Sequence, residues 1–209
     1  MSAHQQPRHF SMIRDFQMAD FVTLANGACG TAAIFLAMEH VREARADTVY
    51  GAALLILGAL IFDVLDGRIA RRRHMASPLG RELDSLADVI SFGVAPACLA
   101  YAVGMSRALD TIALLYFTAC GISRLARYNI TAEAVTAAGG TVRYFEGTPI
   151  PTSTVLVLLL ALLARLGRIG SDLPLGIMRL GPFELHWLVL LFVLSGSLMI
   201  SKTLRIPKP

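Results

Sequence analysis

The stretch DVLDGRIARRRHMASPLGRELDSLAD, residues 63–88, decides the fold because it places charges between two long apolar runs. It contains four aspartates, one glutamate and five arginines. The runs GAALLILGALIF (51–62) and VISFGVAPACLAY (89–101) flank it and carry no charged side chain. Carboxylates at the ends of apolar segments are costly unless a positive charge accompanies them. The stretch therefore predicts a functional site at one end of a pair of apolar segments.

The composition excludes an ordinary soluble domain. Hydrophobic residues make up 55% of the 209-residue chain, charged residues 16%, and the mean hydropathy is +0.60. A soluble domain usually has about 25% charged residues. The three cysteines lie singly in apolar stretches and the five histidines are scattered, so we expect neither a disulfide framework nor a zinc site. An integral membrane protein is predicted, and no nucleic-acid partner is expected.

Six apolar segments have about the length of a membrane span. A backbone in lipid must satisfy its own hydrogen bonds, so all six are predicted to be helices and the fold class to be all-α. Gly93 and Pro96 predict a kink in the third segment. The predicted segments are roughly 18–39, 48–70, 82–104, 108–128, 149–167 and 183–202.

The basic residues predict the orientation of these segments. Six spans leave both termini on one side, and that side collects 13 of the 19 lysines and arginines. The positive-inside rule then places both termini in the cytoplasm, together with the stretch 63–88. The expected organisation is an N-terminal segment (1–17), a six-helix membrane domain (18–202) and a C-terminal tail (203–209). The N-terminal segment is either an amphipathic helix on the membrane surface or an untethered cytoplasmic tail, and no secretory signal is expected.

The spacing of the four aspartates predicts that they converge. Asp63 and Asp66 are three residues apart, so they share a helix face. Asp84 and Asp88 are four apart and share a face of the next, antiparallel helix. The two acidic faces then lie at one depth and can point at each other. Oxygen-only ligands suit Mg²⁺ or Mn²⁺, and four carboxylates are enough for two ions.

Two other interpretations remain open on these residues alone. The five arginines of the stretch could pair with the carboxylates. Alternatively, the carboxylates could mark a proton or ion pathway in a transporter, as intramembrane acidic residues often do.

The pattern D-x2-D-G-x2-A-R-x8-G-x3-D-x3-D is filled at every position from Asp63 to Asp88. It resembles the signature of the CDP-alcohol phosphotransferases. The resemblance implies a six-helix membrane fold, usually dimeric, that exchanges the CMP of a CDP-linked lipid for an alcohol. It also implies two bound divalent ions, Mg²⁺ or Mn²⁺.

The same resemblance implies roles for individual residues. Asp63, Asp66 and Asp84 would bind metal. Asp88 would bind metal and also act as the general base. The residues that would contact the CDP-lipid are Asn26, Gly67, Ala70, Arg71, Ser77 and Gly80. Asn26 could instead make only a hydrogen bond between helices.

Three further stretches resemble one branch of this family, the integral-membrane phosphatidylserine synthases of bacteria. They are DSLADVISFGVAPA (84–97), RLARYNI (124–130) and FEGTPIP (145–151). The resemblance implies CDP-diacylglycerol and serine as substrates. It further implies a bacterial inner-membrane protein whose active site faces the cytoplasm.

The acceptor site is less well specified by the sequence. Arg124 and Arg127 share a helix face, and one of them could bind the serine carboxylate with two hydrogen bonds. Alternatively, both only mark the inner face of the membrane. Asn129 and Glu146 could meet the ammonium group. The polar residues 152–154 depart from the small alanines expected there, which leaves glycerol 3-phosphate or inositol phosphate open as acceptor.

Overall fold

The computed structural model describes residues 18–73, 78–137, 144–201, 203 and 205–207. The predicted segment 1–17 therefore lies outside the described residues, and of the predicted tail 203–209 the structure describes 203 and 205–207. The chain is predominantly helical. The helices are α1 (Met18–Glu43), α2 (Ala46–Arg73), α3 (Pro78–Asp88), α4 (Ala95–Ala102), α5 (Ala108–Ala137), α6 (Thr154–Arg165) and α7 (Leu190–Ile200).

Four helices of the described chain are long and apolar enough to cross a membrane, and they end at residues 43, 69, 102 and 131. The third combines α3, a π-helical turn (Val89–Val94) and α4. The last two apolar helices, Ile150–Arg165 and Trp187–Ile200, are shorter than a full span. The membrane character predicted from composition is confirmed, whereas six spans remain a prediction.

Two small β structures accompany the helices, and the sequence analysis did not predict them. Strands β2 (Ile177–Leu180) and β3 (Phe183–His186) form a hairpin whose two-residue turn begins at Gly181, with φ +62°. Strand β1 (Tyr144–Glu146) pairs antiparallel with β4 (Arg205–Pro207). The hairpin occupies the start of the predicted sixth span, so the apolar helix begins only at Trp187.

A buried pair of hydrogen-bonded side chains fixes the hairpin to the beginning of α5. The carboxylate of Asp110 accepts a hydrogen bond from the backbone N–H of His186 at 2.8 Å and lies 2.6 Å from its Nδ1. Asp110 is fully buried, and Arg107 also pairs with Glu184 of the hairpin at 3.0 Å. These contacts lie at the end of α5 opposite Arg124 and Arg127.

Helix α5 extends nine residues beyond the predicted end at residue 128. The segment 129–137 contains neither glycine nor proline, and the pair Gly139–Gly140 follows it. Nothing in the local sequence therefore interrupts the helix at the membrane boundary. As a result, Asn129 belongs to a helix and not to a loop.

Helix α1 turns a stripe of small and polar side chains inward and its large apolar side chains outward. Its buried positions include Asn26, Gly30 and Ala33, whereas Phe21 and Phe35 are exposed. Without a hydrophobic driving force in lipid, membrane helices pack through such small residues. This stripe lets α1 approach both α2 and the π-helical turn closely.

The π-helical turn lies where the sequence predicted a kink. Pro96 has no N–H to donate to the carbonyl of Phe92, four residues before it. The hydroxyl of Ser153 donates to that carbonyl at 2.7 Å. Ser91, in the same turn, donates to the carbonyl of Asn26 at 2.9 Å, which ties the turn to α1.

We expect Gly30→Ala to destabilise the protein, because its Cβ would lie 2.4 Å from Ser91 Oγ and 2.7 Å from Ser91 Cα. Overpacking of this kind typically costs about 1–3 kcal/mol. Gly58→Ala is the matched control, since its Cβ would approach only Cys29 Sγ, at 3.9 Å. Thermal unfolding in detergent should show a lower midpoint for the Gly30 variant alone. Equal midpoints for the two variants would contradict this account of the α1 packing.

Candidate active site

The structure brings three of the four predicted aspartates together. Asp63 and Asp66 lie on α2, and Asp84 lies on α3. One carboxylate oxygen from each lies within 4.8 Å of the other two. The convergence predicted from the spacing is therefore present for these three aspartates, because both helices turn their acidic faces toward one another.

Burial strengthens the electrostatic repulsion within this carboxylate cluster, which consists of Asp63, Asp66 and Asp84. Asp66 is 5% exposed, and the other two are partly buried. At an effective dielectric constant of 20, two unit charges 4 Å apart repel by about 4 kcal/mol. Asp84 Oδ1 is enclosed and has no hydrogen-bond partner within the described part of the chain. An oxygen-only donor set with an unpaired buried oxygen fits a hard divalent cation such as Mg²⁺ or Mn²⁺.

Asp88 lies beside the carboxylate cluster but is not one of the three whose oxygens come within 4.8 Å. It is 6% exposed and interacts electrostatically with Asp63 and Asp84. Its Oδ1 accepts a hydrogen bond from Asn26 Nδ2 at 3.1 Å. Asp88 is thus held by a side-chain amide of α1 and lies outside the closest grouping of carboxylate oxygens.

Asn26 is fully buried on α1, and its Oδ1 has no hydrogen-bond partner in the described ranges. The amide thus does form a bond between helices, which was the alternative interpretation of this residue. The remaining acceptor atom is compatible with a ligand that offers an N–H or O–H group.

Thr23 is a residue of this site that the sequence analysis missed. It is 3% exposed, and its hydroxyl donates to Asp66 Oδ2 at 2.8 Å. The signal was present in the spacing, because Thr23 lies three residues before Asn26 and therefore shares its helix face. Helix α1 thus supplies a hydrogen-bond donor to one aspartate of each acidic helix.

The residues expected to contact the CDP-lipid lie around the ends of α2 and α3. Gly67 is partly buried on α2, one residue after Asp66, and Gly80 is partly buried in the first turn of α3. Ala70 and Arg71 lie on the last turns of α2, and their side chains are outside the described structure. Ser77 lies outside the described residues altogether. Their roles stay predictions.

The structure separates the two arginines proposed for the acceptor. Arg124 is 9% exposed, its Nε has no partner among the described residues, and it is close enough to Asp88 for electrostatic attraction. Its guanidinium carbon also lies 5.8 Å from the centre of the Tyr128 ring. Arg127 points elsewhere, since its Nη1 donates to the carbonyl of Ile200 at the end of α7. Of the pair, Arg124 has the geometry of a site residue.

Asn129 contacts α3, because its Nδ2 donates to Ser85 Oγ at 2.9 Å. Ser85 immediately follows Asp84 on α3. The side chain of Glu146, by contrast, lies outside the described structure. Two of the three polar residues after Pro151 have structural partners: the hydroxyl of Thr152 donates to the Pro149 carbonyl, and that of Ser153 donates to the Phe92 carbonyl in the π-helical turn. The hydroxyl of Thr154 has no partner among the described residues.

The chain matches the CDP-alcohol phosphatidyltransferase family model over residues 16–195. It therefore belongs to this family, and the resemblance inferred from the signature is confirmed.

Curated relatives share one name, CDP-diacylglycerol–serine O-phosphatidyltransferase. The chain is 44% identical to the Saccharomyces cerevisiae protein, over 96% of this chain and 74% of that one. It is 32% identical to the Bacillus subtilis protein, over 67% and 72%. It is 38% identical to the Mycobacterium leprae protein, over 70% of this chain but only 47% of that one. The chain thus spans about half the length of this last relative.

The repulsion within the carboxylate cluster predicts opposite effects of Asp84→Asn with and without metal. In chelator the variant should unfold at a higher temperature than the parent, because it removes one of three repelling charges. Saturating Mg²⁺ should raise the unfolding temperature of the parent more than that of the variant. A ligand at 100 times its Kd stabilises the protein that binds it by about 2.7 kcal/mol. Thermal unfolding in detergent, with and without Mg²⁺, measures both effects.

Asp172→Asn is the control, because Asp172 is an exposed carboxylate on another segment of the chain. It should leave both midpoints at the parent's values. An equal gain from Mg²⁺ in the parent and in the Asp84 variant would contradict the assignment of this carboxylate to a metal centre.

Proposed function

We propose that this protein transfers a phosphatidyl group from CDP-diacylglycerol to the hydroxyl of serine, producing phosphatidylserine and CMP. The grouping of three carboxylate oxygens within 4.8 Å at one end of two long apolar helices carries the proposal. Such a site suits a diphosphate substrate whose acyl chains remain in the bilayer. The shared name of the relatives supports the choice of serine.

Two divalent ions, Mg²⁺ or Mn²⁺, are proposed to bind at Asp63, Asp66, Asp84 and Asp88. When bound, they would neutralise the diphosphate and stabilise the charge that develops on the departing CMP. The donor set and the unpaired Asp84 Oδ1 support this assignment.

Asp88 is proposed to act as the general base. It takes the proton of the serine hydroxyl, which must come within hydrogen-bond reach of the carboxylate. The serine oxygen forms its bond to the phosphorus that bears diacylglycerol, and the bond from that phosphorus to the CMP oxygen breaks. The hydrogen bond from Asn26 supports this role, because it orients one oxygen of Asp88 and keeps the carboxylate at the site. The transfer is direct and needs no phosphorylated enzyme residue.

The CDP part of the lipid is proposed to contact α1, α2 and the first turn of α3. Gly67 and Gly80 allow close approach of a bulky group to the backbone because neither has a side chain. Asn26 offers its unpaired Oδ1 to the same ligand. The remaining proposed contacts are Ala70, Arg71 and Ser77.

Serine is proposed to bind between Asp88 and Arg124. The guanidinium of Arg124 would hold the serine carboxylate, and its burial makes such a bond stronger than it would be in water. Asn129 is proposed to contact the ammonium group, because it reaches Ser85 beside the carboxylate cluster. Arg127 is better explained as a cap of α7.

The proposed arrangement in the membrane has six helical crossings, with the active site and both termini on the cytoplasmic side. The excess of arginines near the carboxylate cluster supports this orientation. In a bacterium the membrane would be the inner one. Residues 18–202 would form the membrane domain, flanked by the segments 1–17 and 203–209. A homodimer is proposed on the resemblance to the family.

The function is tested with the purified chain in mixed micelles containing CDP-diacylglycerol. CMP release should require Mg²⁺ or Mn²⁺ and serine, and the lipid product should be phosphatidylserine. Glycerol 3-phosphate and inositol phosphate should support little release. Release that survives full chelation would contradict the metal-dependent mechanism, and preference for another acceptor would contradict the choice of serine. Solute flux across liposomes without CMP release would instead indicate a transporter.

Arg124→Lys should raise the KM for serine by about 10- to 150-fold, the equivalent of one lost charged hydrogen bond. Lysine keeps the charge but cannot make the two-pronged contact. The KM for the CDP-lipid should change little. Steady-state kinetics with varied serine measures the effect.

Arg127→Lys is the matched control and should stay within about twofold of the parent KM for serine. Serinol, which lacks the carboxylate, should be a poor acceptor and should barely distinguish the parent from the Arg124 variant. If Arg127→Lys raises the KM and Arg124→Lys does not, the assignment of the carboxylate to Arg124 is wrong.

A further inference from the structure

The bond between Thr23 and Asp66 joins α1 to α2 inside the protein. The hydroxyl oxygen lies 2.8 Å from Asp66 Oδ2, and the two residues are 3% and 5% exposed. Asp66 is at the same time one of the three aspartates of the carboxylate cluster. The threonine thus contacts a proposed metal ligand directly while remaining away from solvent.

The hydroxyl of Thr23 has one proton and two acceptors within reach. The second acceptor is the carbonyl of Ala19, one helical turn earlier, at 3.1 Å. A charged acceptor at the shorter distance forms the stronger hydrogen bond. The carbonyl of Ala19, in contrast, can accept the ordinary helical bond from the backbone N–H of Thr23. The hydroxyl of Thr23 therefore donates its hydrogen bond to the carboxylate of Asp66.

We infer that Thr23 is a positioning residue, which holds the carboxylate of Asp66 in the orientation that places it with Asp63 and Asp84. The inference rests on the proposed function, because it assigns Thr23 to the metal centre proposed there. A carboxylate on a rotatable side chain beside two like charges turns away unless a donor fixes it. Mutation of a residue that hydrogen-bonds to a metal ligand typically weakens metal binding by about 10- to 100-fold.

A purely structural role makes a different prediction. If the bond only fastens α1 to α2, its loss lowers thermal stability and leaves the affinity for metal unchanged. Metal binding in the absence of any substrate therefore separates positioning from fastening, and it does so without a measurement of activity.

Helix α1 offers a matched control for this test. Thr31 is partly buried on the same helix, and its hydroxyl donates only to the carbonyl of Gly27, at 2.9 Å. Thr31→Val thus removes a hydroxyl from α1 without touching an aspartate. Thr23→Val removes the hydroxyl at nearly constant volume, and Thr23→Ser retains it.

The experiment measures free Mn²⁺ by electron paramagnetic resonance during titration of the purified full chain, with no CDP-lipid or serine present. Thr23→Val should bind Mn²⁺ about 10- to 100-fold more weakly than the parent. Thr23→Ser and Thr31→Val should keep the parent's affinity. If Thr23→Val is not monodisperse in detergent, Thr23→Ala replaces it with the same expected loss.

Unchanged affinity in the variants that lack the Thr23 hydroxyl overturns the inference while leaving the proposed function intact. An equal loss in Thr31→Val also overturns it, because the effect then comes from the helix in general. Failure of the parent to bind Mn²⁺ overturns the proposed metal centre, and the inference fails with it.

Discussion

Mutual repulsion among buried carboxylates is the constraint on which the rest of this structure depends. Two long apolar helices turn Asp63, Asp66 and Asp84 toward one another, with one oxygen of each within 4.8 Å of the others. Such a cluster is tolerable only with a compensating cation and with donors that fix the carboxylates. Helix α1 supplies two such donors, Thr23 and Asn26, from its inward stripe.

The packing of α1 follows from the same requirement. Donors on α1 reach the aspartates only if the helix lies close to both α2 and the α3–α4 helix. Gly30 permits that approach, because the backbone of Ser91 occupies the space of a side chain there. Ser91 in turn bonds the carbonyl of Asn26, so the π-helical turn and the polar end of α1 are held together. The geometry of the site and the packing of the helices are thus one arrangement.

The sequence predicted those features that depend on local spacing. Helical periodicity placed Asp63 and Asp66 on one face, and the apolar runs predicted the four helices that are long enough to cross a membrane. The features it missed depend on distant partners. The pairing of Asp110 with His186 joins residues 76 apart, and the bond from Thr23 to Asp66 joins residues 43 apart. Arg124 and Arg127 are equivalent by spacing, and only the fold distinguishes them, because it buries Arg124 near Asp88 and brings Arg127 to the end of α7.

The central claim is that these aspartates form one divalent metal centre, and anomalous scattering from crystals grown with Mn²⁺ tests it most directly. The account predicts anomalous density in contact with Asp63, Asp66 and Asp84, and loss of that density in Asp84→Asn crystals. Full Mn²⁺ occupancy elsewhere in the protein, with an arginine side chain between these carboxylates, would contradict it.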